Sequence, residues 1–230
     1  MAFLITGASR GVGAGIVELL LERGDSVIGC ARSTVDRDHP NYTHIQADVS
    51  NEDDVKRLFK NIRSEKADID TVVNCAGVAQ QQLAIATPAA QVSDILKANV
   101  LGTFLVSKYA IKTMMRSGFG RIISLSSINV KLNSKGSTAY NASKAAIESL
   151  MDGLSSEVKG MDITFNALGL SIVADSGMEN DLSEDAYKDK MANLRKPGAM
   201  TCDEILHAID FLRSPSASKI SGQTIYFGAP

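Results

Sequence analysis

Three polar side chains in the second half of the sequence have the types and the spacing of a proton-transfer site. Ser127 stands thirteen residues before Tyr140, and Lys144 follows Tyr140 four residues later. Residues four apart on a helix share a face, so the phenol and the ammonium are expected side by side. An ammonium favours the phenolate, and such a phenol can exchange a proton with a carbonyl or alcohol oxygen near neutral pH. Ser127 can donate a hydrogen bond to the same oxygen as its charge develops.

A glycine-rich turn near the N-terminus has the composition of a phosphate-binding site. It lies between a short apolar run and a helical pattern. Glycines let the backbone turn tightly and approach a pyrophosphate, whose charge is attracted by the amides and dipole of the helix N-terminus. The alternative is an ordinary strand-to-helix turn. The predicted cofactor contacts of this segment are Gly7, Ser9, Arg10, Gly11, Val12 and Gly13.

The choice of cofactor is predicted from the turn after the second strand. A dinucleotide site commonly has a carboxylate about 20 residues beyond the glycines, where it binds the adenosine ribose. This chain has Ala31 and Arg32 there, and Arg10 lies in the glycine turn. A guanidinium can donate paired hydrogen bonds to a 2′-phosphate, which favours NADP(H) over NAD(H). The alternative is that Arg32 is only a solvated loop residue.

The elements that position these residues alternate along the chain between short apolar runs and helical periodicity. Such alternation predicts βαβ units and a parallel sheet covered on both faces, with ligands beyond the carboxyl ends of the strands. Strands are predicted over residues 2–6, 26–30, 43–46, 70–74, 121–126, 162–167 and 223–226. Helices are predicted over residues 51–64, 90–117 and 204–212, and Ser50 is the predicted N-cap of the first of these. Residues after two of these strands are further candidate cofactor contacts: Asp48 and Val49 toward the adenine, and Asn74, Ala76 and Gly77 toward the ribose. Asp48 alternatively caps a turn.

Composition excludes several other classes of protein. The 230 residues are 44% hydrophobic and 22% charged, with a net charge of −2. These values are ordinary for a globular protein and argue against disorder. A nearly neutral chain lacks the basic excess that nucleic acid or an anionic membrane attracts, so neither partner is expected. The length alone permits either one domain or two.

Cysteine and histidine content bears on the expected compartment and on metal binding. Cys30, Cys75 and Cys202 have spacings that suit neither a disulfide framework nor a zinc site, which indicates reduced thiols. The sequence also lacks the apolar run of about 18 residues that a membrane span needs, and no signal peptide is indicated. A cytoplasmic protein is therefore expected. The three histidines are too scattered to predict a metal site.

Taken together, these residues resemble the short-chain dehydrogenase/reductase family, although each alone is commonplace. The resemblance extends over nearly the whole chain. It includes the motifs Thr6-Gly7-x-x-x-Gly11-x-Gly13, Asn74-x-Ala76-Gly77, Asn99-Val100-Leu101-Gly102, Ser127, Tyr140-x-x-x-Lys144 and Ile220-Ser221-Gly222-Gln223. The subgroup that the chain resembles most is the NADPH-dependent 3-oxoacyl carrier-protein reductases.

The resemblance implies an α/β fold, with one doubly wound Rossmann domain over residues 1–230 and a seven-stranded parallel sheet flanked by helices. It implies a catalytic tetrad of Asn99, Ser127, Tyr140 and Lys144. In the family the Asn holds a water that links the Lys to a proton relay, and the Lys also binds the nicotinamide ribose. Hydride comes from the nicotinamide. Homodimers or homotetramers through the helices that carry Asn99 and Tyr140 are also implied.

The chain departs from the family pattern at several positions near the cofactor. Cys75 replaces an Asn, Val130 replaces a Gly, and Leu170-Ser171 replaces the Pro-Gly that shapes the floor under the nicotinamide. The departures nearer the C-terminus are Asp175 or Ser176 for a Thr, and Phe227-Gly228-Ala229 for Asp-Gly-Gly. The backbones of Ile172 and Val173 are still expected to bind the nicotinamide carboxamide.

The substrate is expected to lie between loops and a lid at about residues 172–197. Leu182, Tyr187, Met191 and Leu194 could form the apolar face of a lid helix, either toward the substrate or as plain packing. The other predicted walls are polar: Gln80, Gln81, Gln82, Asn129, Lys131 and Asn133. Polar walls favour a small polar carbonyl compound over a long acyl chain, unless these are solvated loop residues. The alternatives are a 3-oxoacyl-thioester reductase and a non-catalytic, NADP-binding regulatory protein.

Overall fold

The computed structural model describes residues 2–79, 81–174, 177 and 184–229. Of the residues singled out above, Gln80, Asp175, Ser176 and Leu182 lie outside this part of the chain. Seven parallel strands form one sheet in the order β3-β2-β1-β4-β5-β6-β7. The strands are β1 Ala2–Thr6, β2 Ser26–Ala31, β3 Tyr42–Gln46, β4 Ile69–Asn74, β5 Phe119–Ser127, β6 Asp162–Leu170 and β7 Gln223–Tyr226.

Helices cover both faces of this sheet. They are α1 Gly11–Glu22, α2 Glu52–Ser64, α3 Ala89–Leu96, α4 Gly102–Ser117, α5 Asn129–Leu132, α6 Thr138–Glu157, α7 Glu184–Ala192 and α8 Cys202–Arg213. One buried cluster joins α1 and α8 to the sheet through residues such as Ile16 and Ile209. The other joins α2, α4 and α6 to the opposite face through Leu58, Leu105 and Met151. The predicted doubly wound α/β fold is therefore confirmed.

The strand order reverses between β1 and β4, which are neighbours in the sheet although β2 and β3 come between them in the chain. Open α/β sheets bind ligands in the crevice beyond the carboxyl ends of strands at such a reversal. The turn after β1 begins at Gly7, and the turn after β4 begins at Cys75. The sheet thus brings the glycine-rich turn and the Asn74-to-Gly77 segment together.

Two local predictions are corrected by the structure. The predicted helix over residues 90–117 contains a π-helical segment, Lys97–Leu101, between α3 and α4. The N-cap of α2 is Asn51 and not Ser50, because the Asn51 side chain accepts hydrogen bonds from the N–H groups of Asp53 and Asp54. The Ser50 hydroxyl instead donates to Asp48 Oδ1 at 2.7 Å.

Among the described residues, no helix is both long enough and apolar enough to span a membrane.

Candidate active site

Tyr140 and Lys144 lie on the first two turns of α6. The Lys144 Nζ is 5.6 Å from the centroid of the Tyr140 ring, and it donates a hydrogen bond to the Leu125 carbonyl at 2.6 Å. Lys144 is only 7% exposed. Burial disfavours its charged form and lowers the pKa of Lys144 to about 8. The i,i+4 pair predicted from the sequence is therefore present, with its ammonium in a largely dry setting.

Ser127 is the last residue of β5, and it is buried beside Tyr140. Its Oγ accepts a hydrogen bond from the Asn129 N–H at 3.2 Å. Burial raises the pKa of Tyr140 above its ordinary value, and a hydrogen bond from Ser127 opposes this shift. The predicted effect of the ammonium on the phenolate stays a prediction, and burial of the phenol acts against it. Tyr140 therefore keeps its proton at neutral pH.

Asn99 lies in the π-helical segment and is fully buried. Its Oδ1 accepts from the Val78 N–H at 2.8 Å, while its Nδ2 donates to the Val78 carbonyl at 3.0 Å and to Ser143 Oγ at 2.9 Å. These bonds tie the loop after β4 to α6, next to Tyr140 and Lys144. The water-holding role implied for Asn99 stays a prediction, since its side chain is used in this bracing.

The loop after β4 passes Asn99 and Lys144 at Gly77. A Cβ built on Gly77 would lie 3.0 Å from Asn99 Oδ1 and 3.7 Å from Lys144 Nζ. A side chain at this position would fill the space beside the amide and the ammonium. The structure therefore brings Asn99, Ser127, Tyr140 and Lys144 together at the carboxyl end of the sheet.

The glycine-rich turn has the conformation expected of a close backbone approach. Gly7 and Gly11 have φ values of +69° and +58°, which a side chain would strain. A Cβ on Gly7 would lie 2.8 Å from the Ala76 nitrogen, and a Cβ on Gly13 would overlap the Gly7 carbonyl oxygen. Thr6 Oγ1 accepts from the Ala76 N–H at 3.1 Å, which fastens the two turns together.

The N-terminus of α1 suits the phosphates of a dinucleotide. Arg10, its N-cap residue, is extended, and its side chain makes no capping hydrogen bond. The first N–H groups of a helix have no partner within the helix, so they can bind an anionic group. A nicotinamide dinucleotide bound along this turn would supply the hydride for the reaction. Ser9 lies in this turn and Val12 in the first turn of α1, and their predicted contacts with the cofactor stay predictions.

Gly13→Ala is expected to destabilise the fold by about 1–3 kcal/mol and to weaken binding of a nicotinamide dinucleotide, because the new methyl group overlaps the Gly7 carbonyl oxygen. Thermal unfolding and fluorescence titration with the reduced dinucleotide measure the two effects. The matched control is Gly153→Ala on α6, where a Cβ meets nothing within 4 Å. Equal behaviour of the two variants would contradict the expected close approach.

Arg32 borders a cavity of about 300 Å³ at the carboxyl ends of β2 and β3. The β3 strand holds the turn that carries Arg32, because Gln46 Nε2 donates to the Arg32 carbonyl at 2.7 Å. A His44 ring nitrogen lies 2.9 Å from the Ser33 carbonyl oxygen and braces the same turn. The residues lining the cavity are Arg32, Gln46, Ala47, Asp48, Asp54 and Arg57.

Sequence reasoning missed Arg57 and Gln46 at this cavity, and His44 at the turn beside it. The only signal for Arg57 was its spacing of three residues from Asp54, to which it is paired at 2.9 Å. Asp48, predicted to contact the adenine or to cap a turn, does cap a turn, since its Oδ1 accepts from both the N–H and the hydroxyl of Ser50. Asp48 also lines the cavity, and its contact with the adenine stays a prediction.

Other predicted cofactor contacts have structural partners of their own. Asn74 is buried, and its Nδ2 donates to Ser124 Oγ at 3.1 Å, so this side chain joins β4 to β5. Its Oδ1 has no hydrogen-bond partner among the described residues. Val49 is buried, and a Cβ on Gly102 would overlap its side chain, which shows that Val49 packs against α4.

The turn after β6, where Leu170-Ser171 stands, is joined to a short extended segment at Met200. The Ile172 carbonyl accepts from the Met200 N–H at 2.7 Å, and Val173 forms a parallel bridge with Met200. The Ser171 and Ala174 N–H groups also donate to Met200, so the N–H groups of Ile172 and Val173 are the candidates for the nicotinamide carboxamide.

Fewer of the predicted lid and wall residues are exposed to a substrate than the sequence predicted. Leu194 is buried and lies with Ile128 beneath Gly228, so it packs onto the domain. Asn129 is also buried, and its Oδ1 accepts from Ser134 Oγ at 3.1 Å. In contrast, Lys131 and Asn133 are exposed, as are Gln81 and Gln82, and Tyr187 and Met191 are half-buried. No group of three or more metal-ligating side chains occurs among the described residues.

Comparisons with known proteins show the family, and a solved structure shows the same fold. Residues 1–187 match the family model described as short chain dehydrogenase. The 3-oxoacyl-[acyl-carrier-protein] reductase FabG of Salmonella typhimurium is 31% identical, over 97% of this chain and 93% of its own length. FabG of Escherichia coli is 30% identical with the same coverage. The solved structure of a 4-hydroxyisoleucine dehydrogenase complexed with NADH is 21% identical, with a TM-score of 0.86 over 99% of this chain and 97% of that chain.

Proposed function

The chain belongs to the short-chain dehydrogenase family of oxidoreductases, and from that premise we propose that it is an NADPH-dependent carbonyl reductase. The observation that carries this proposal is the meeting of Tyr140, Ser127 and Lys144 beside Gly77 and the glycine-rich turn. In this proposal Tyr140 donates the proton to the carbonyl oxygen and Ser127 donates a hydrogen bond to it. Lys144 binds the nicotinamide ribose and Asn99 braces the loop that carries Gly77.

Reduction is the proposed direction, because Arg10 and Arg32 favour NADP(H), a cofactor that cells hold mostly in its reduced form. Burial raises the pKa of Tyr140, so its phenol is protonated at neutral pH and can act as the general acid of this reaction.

NADPH is proposed over NADH because Arg32 and Arg57 line one cavity next to the predicted adenosine site. Guanidinium groups suit a 2′-phosphate, to which they donate charge-assisted hydrogen bonds. The 4-hydroxyisoleucine dehydrogenase of similar fold is described with NADH, so fold similarity does not favour either cofactor.

A small polar carbonyl compound is the proposed substrate. The exposed polar side chains of Gln81, Gln82, Lys131 and Asn133 support it. The second candidate is a 3-oxoacyl thioester, which the names of the FabG relatives favour. The apolar Leu83 and Ile85, 47% and 95% exposed in the loop after β4, would also suit an acyl chain.

The experiment that tests this proposal is a panel of carbonyl compounds with NADPH and with NADH, followed by loss of absorbance of the reduced nicotinamide. Sugars, polar ketones and acetoacetyl thioesters would be compared at equal concentration. High turnover of the thioesters alone would favour the second candidate. Tight NADPH binding without turnover of any compound would favour the non-catalytic alternative.

The rate of carbonyl reduction is expected to fall about tenfold per pH unit above about pH 8, because Lys144 loses its proton there and no longer stabilises the phenolate that forms when Tyr140 donates its proton. Below that pH the ammonium is present and the rate should be level. The measurement is kcat against pH at saturating NADPH. In Lys144→Arg the cation stays charged, so the fall should shift to higher pH. A wild-type rate that stays level to about pH 9.5 would contradict this assignment.

A homodimer or homotetramer through α4 and α6 is also proposed. Leu101 and Phe104, 41% and 37% exposed, provide apolar surface near α4, and Ala142 and Ala145 are exposed on α6. Small residues let helices pack closely. Light scattering tests this, and a monomer at micromolar concentration would contradict it.

A further inference from the structure

Glu148 lies on the helix that carries the proposed proton donor. It follows Lys144 by four residues and Tyr140 by eight, so the three side chains lie along one side of α6. Neither the sequence motifs nor the proposed reaction uses this carboxylate.

Both carboxylate oxygens of Glu148 accept hydrogen bonds from neutral hydroxyls. Oε1 accepts from Ser126 Oγ at 2.6 Å, and Oε2 accepts from the Tyr226 hydroxyl at 2.6 Å. Bonds from a hydroxyl to a carboxylate at this length are charge-assisted and about twice as strong as neutral ones. Burial and the bond to Glu148 raise the pKa of Tyr226 far above its ordinary value, so this phenol remains a donor.

The two donors come from different parts of the site. Ser126 is buried at the end of β5, immediately before Ser127. Tyr226 is the last residue of β7, and its ring lies over Gly169 of β6, where a Cβ would overlap it. Lys131, in the turn after Ser127, has its Nζ 5.1 Å from the centroid of the same ring. One carboxylate therefore connects α6 with the ends of β5 and β7.

Ser126 also links the carboxylate to the backbone of α6 near the ammonium. Its Oγ lies 3.4 Å from the Lys144 carbonyl oxygen in addition to the bond with Glu148. The apolar packing of α6 does not depend on these polar contacts, because Met151 and Leu154 are buried in the core farther along the helix. Loss of the carboxylate would thus let the first turns of α6 move relative to β5 without releasing the helix.

We propose that Glu148 is a positioning residue, which holds α6 against β5 so that the Tyr140 hydroxyl stays within reach of Ser127. The inference rests on the proposed reduction, in which both hydroxyls act on one carbonyl oxygen. A misplacement of about 1 Å can cost about 100-fold in rate, so a modest shift of α6 is enough to reduce turnover. Glu148 does not contact the glycine-rich turn, and Lys144 on the same helix keeps its own bond to the Leu125 carbonyl, so NADPH binding should be preserved.

The test compares Glu148→Ala with the more conservative Glu148→Gln, which can keep one accepting oxygen. We expect kcat to fall about 10–100-fold in Glu148→Ala and less in Glu148→Gln, with the NADPH dissociation constant within about two-fold of wild type. The control is Glu157→Gln, an exposed glutamate in the last turn of the same helix, which should leave kcat unchanged. Each kcat is divided by the fraction of protein that binds NADPH, so a loss of folded protein alone does not count.

An unchanged kcat in Glu148→Ala overturns the inference even if its melting temperature falls. If Glu148→Ala does not fold, the inference is tested with Tyr226→Phe, which removes one of the two hydrogen bonds to Glu148. A wild-type kcat in Tyr226→Phe then overturns the inference. If wild type reduces no carbonyl compound, the proposed function fails. The inference is then judged by crystal structures, in which an unchanged distance from Ser127 Oγ to the Tyr140 hydroxyl in Glu148→Ala or Tyr226→Phe overturns it.

Discussion

Tyr140→Phe is expected to lower kcat for carbonyl reduction by about 10²–10⁴-fold, the range that a positioned general acid contributes. The ring can still pack beside Lys144, whose Nζ lies 5.6 Å from the ring centroid, so only the hydroxyl is lost. Without it, Ser127 can donate a hydrogen bond to the carbonyl oxygen but no acid is in place to protonate it. NADPH titration should give a dissociation constant within about two-fold of wild type.

The control for this variant is Tyr109→Phe. The hydroxyl of Tyr109, on α4, donates a hydrogen bond to Glu52, on α2, at 3.0 Å and does not contact the catalytic cluster. The Tyr109→Phe variant should therefore keep full activity. Wild-type turnover in Tyr140→Phe would remove the phenol from the mechanism. Loss of NADPH binding together with turnover would show that the phenol supports the cofactor site.

The parts of the site that the sequence predicted are those fixed by local geometry. Tyr140 and Lys144 meet because they are four apart on one helix, and Gly7 and Gly11 are found at positive φ because they stand at the two ends of a tight turn. Local rules of this kind need no knowledge of the sheet. The predicted range of β1 is also the observed one, since its apolar run is bounded by Gly7.

The parts that the sequence could not predict depend on contacts between distant elements. Gln46 braces the Arg32 turn only because β3 pairs with β2 in a register that places Gln46 opposite Ala31. Glu148 meets Tyr226 only because β7 lies beside β6. The burial of Tyr140, which raises the pKa of its phenol, is likewise not visible in the spacing of Tyr140 and Lys144.

The departure from the family pattern at Cys75 fits the hydrogen bonds between the turns after β1 and β4. Its N–H donates to Thr6 Oγ1 at 3.2 Å, so the backbone link between the turns after β1 and β4 does not need a side-chain amide. Burial raises the pKa of the Cys75 thiol to about 12, which keeps it neutral beside Lys144. Cys75 thus fits as a small packing residue where the family commonly has Asn.

The second large effect is expected from Arg32→Asp, which should lower kcat/KM for NADPH about 100-fold and raise that for NADH. A charge-assisted hydrogen bond contributes about 1.5–3 kcal/mol, which corresponds to about 10–150-fold in binding. A carboxylate at this turn would repel a 2′-phosphate, and it could accept hydrogen bonds from the ribose hydroxyls of NADH. The Arg32 carbonyl, bonded to Gln46, should hold the substituted turn in place.

The ratio of kcat/KM for NADPH to kcat/KM for NADH separates loss of the contact between Arg32 and the 2′-phosphate from a general change of net charge. Arg63→Asp alters net charge by the same amount at the exposed end of α2, away from the cavity that Arg32 lines. Its effect on the ratio should be less than about two-fold, because solvent and salt screen an exposed charge. Arg57→Ala should give an intermediate shift, since Arg57 lines the same cavity but is paired with Asp54. If Arg32→Asp keeps the NADPH preference of wild type, Arg32 does not bind the 2′-phosphate, and the cofactor assignment loses its main support.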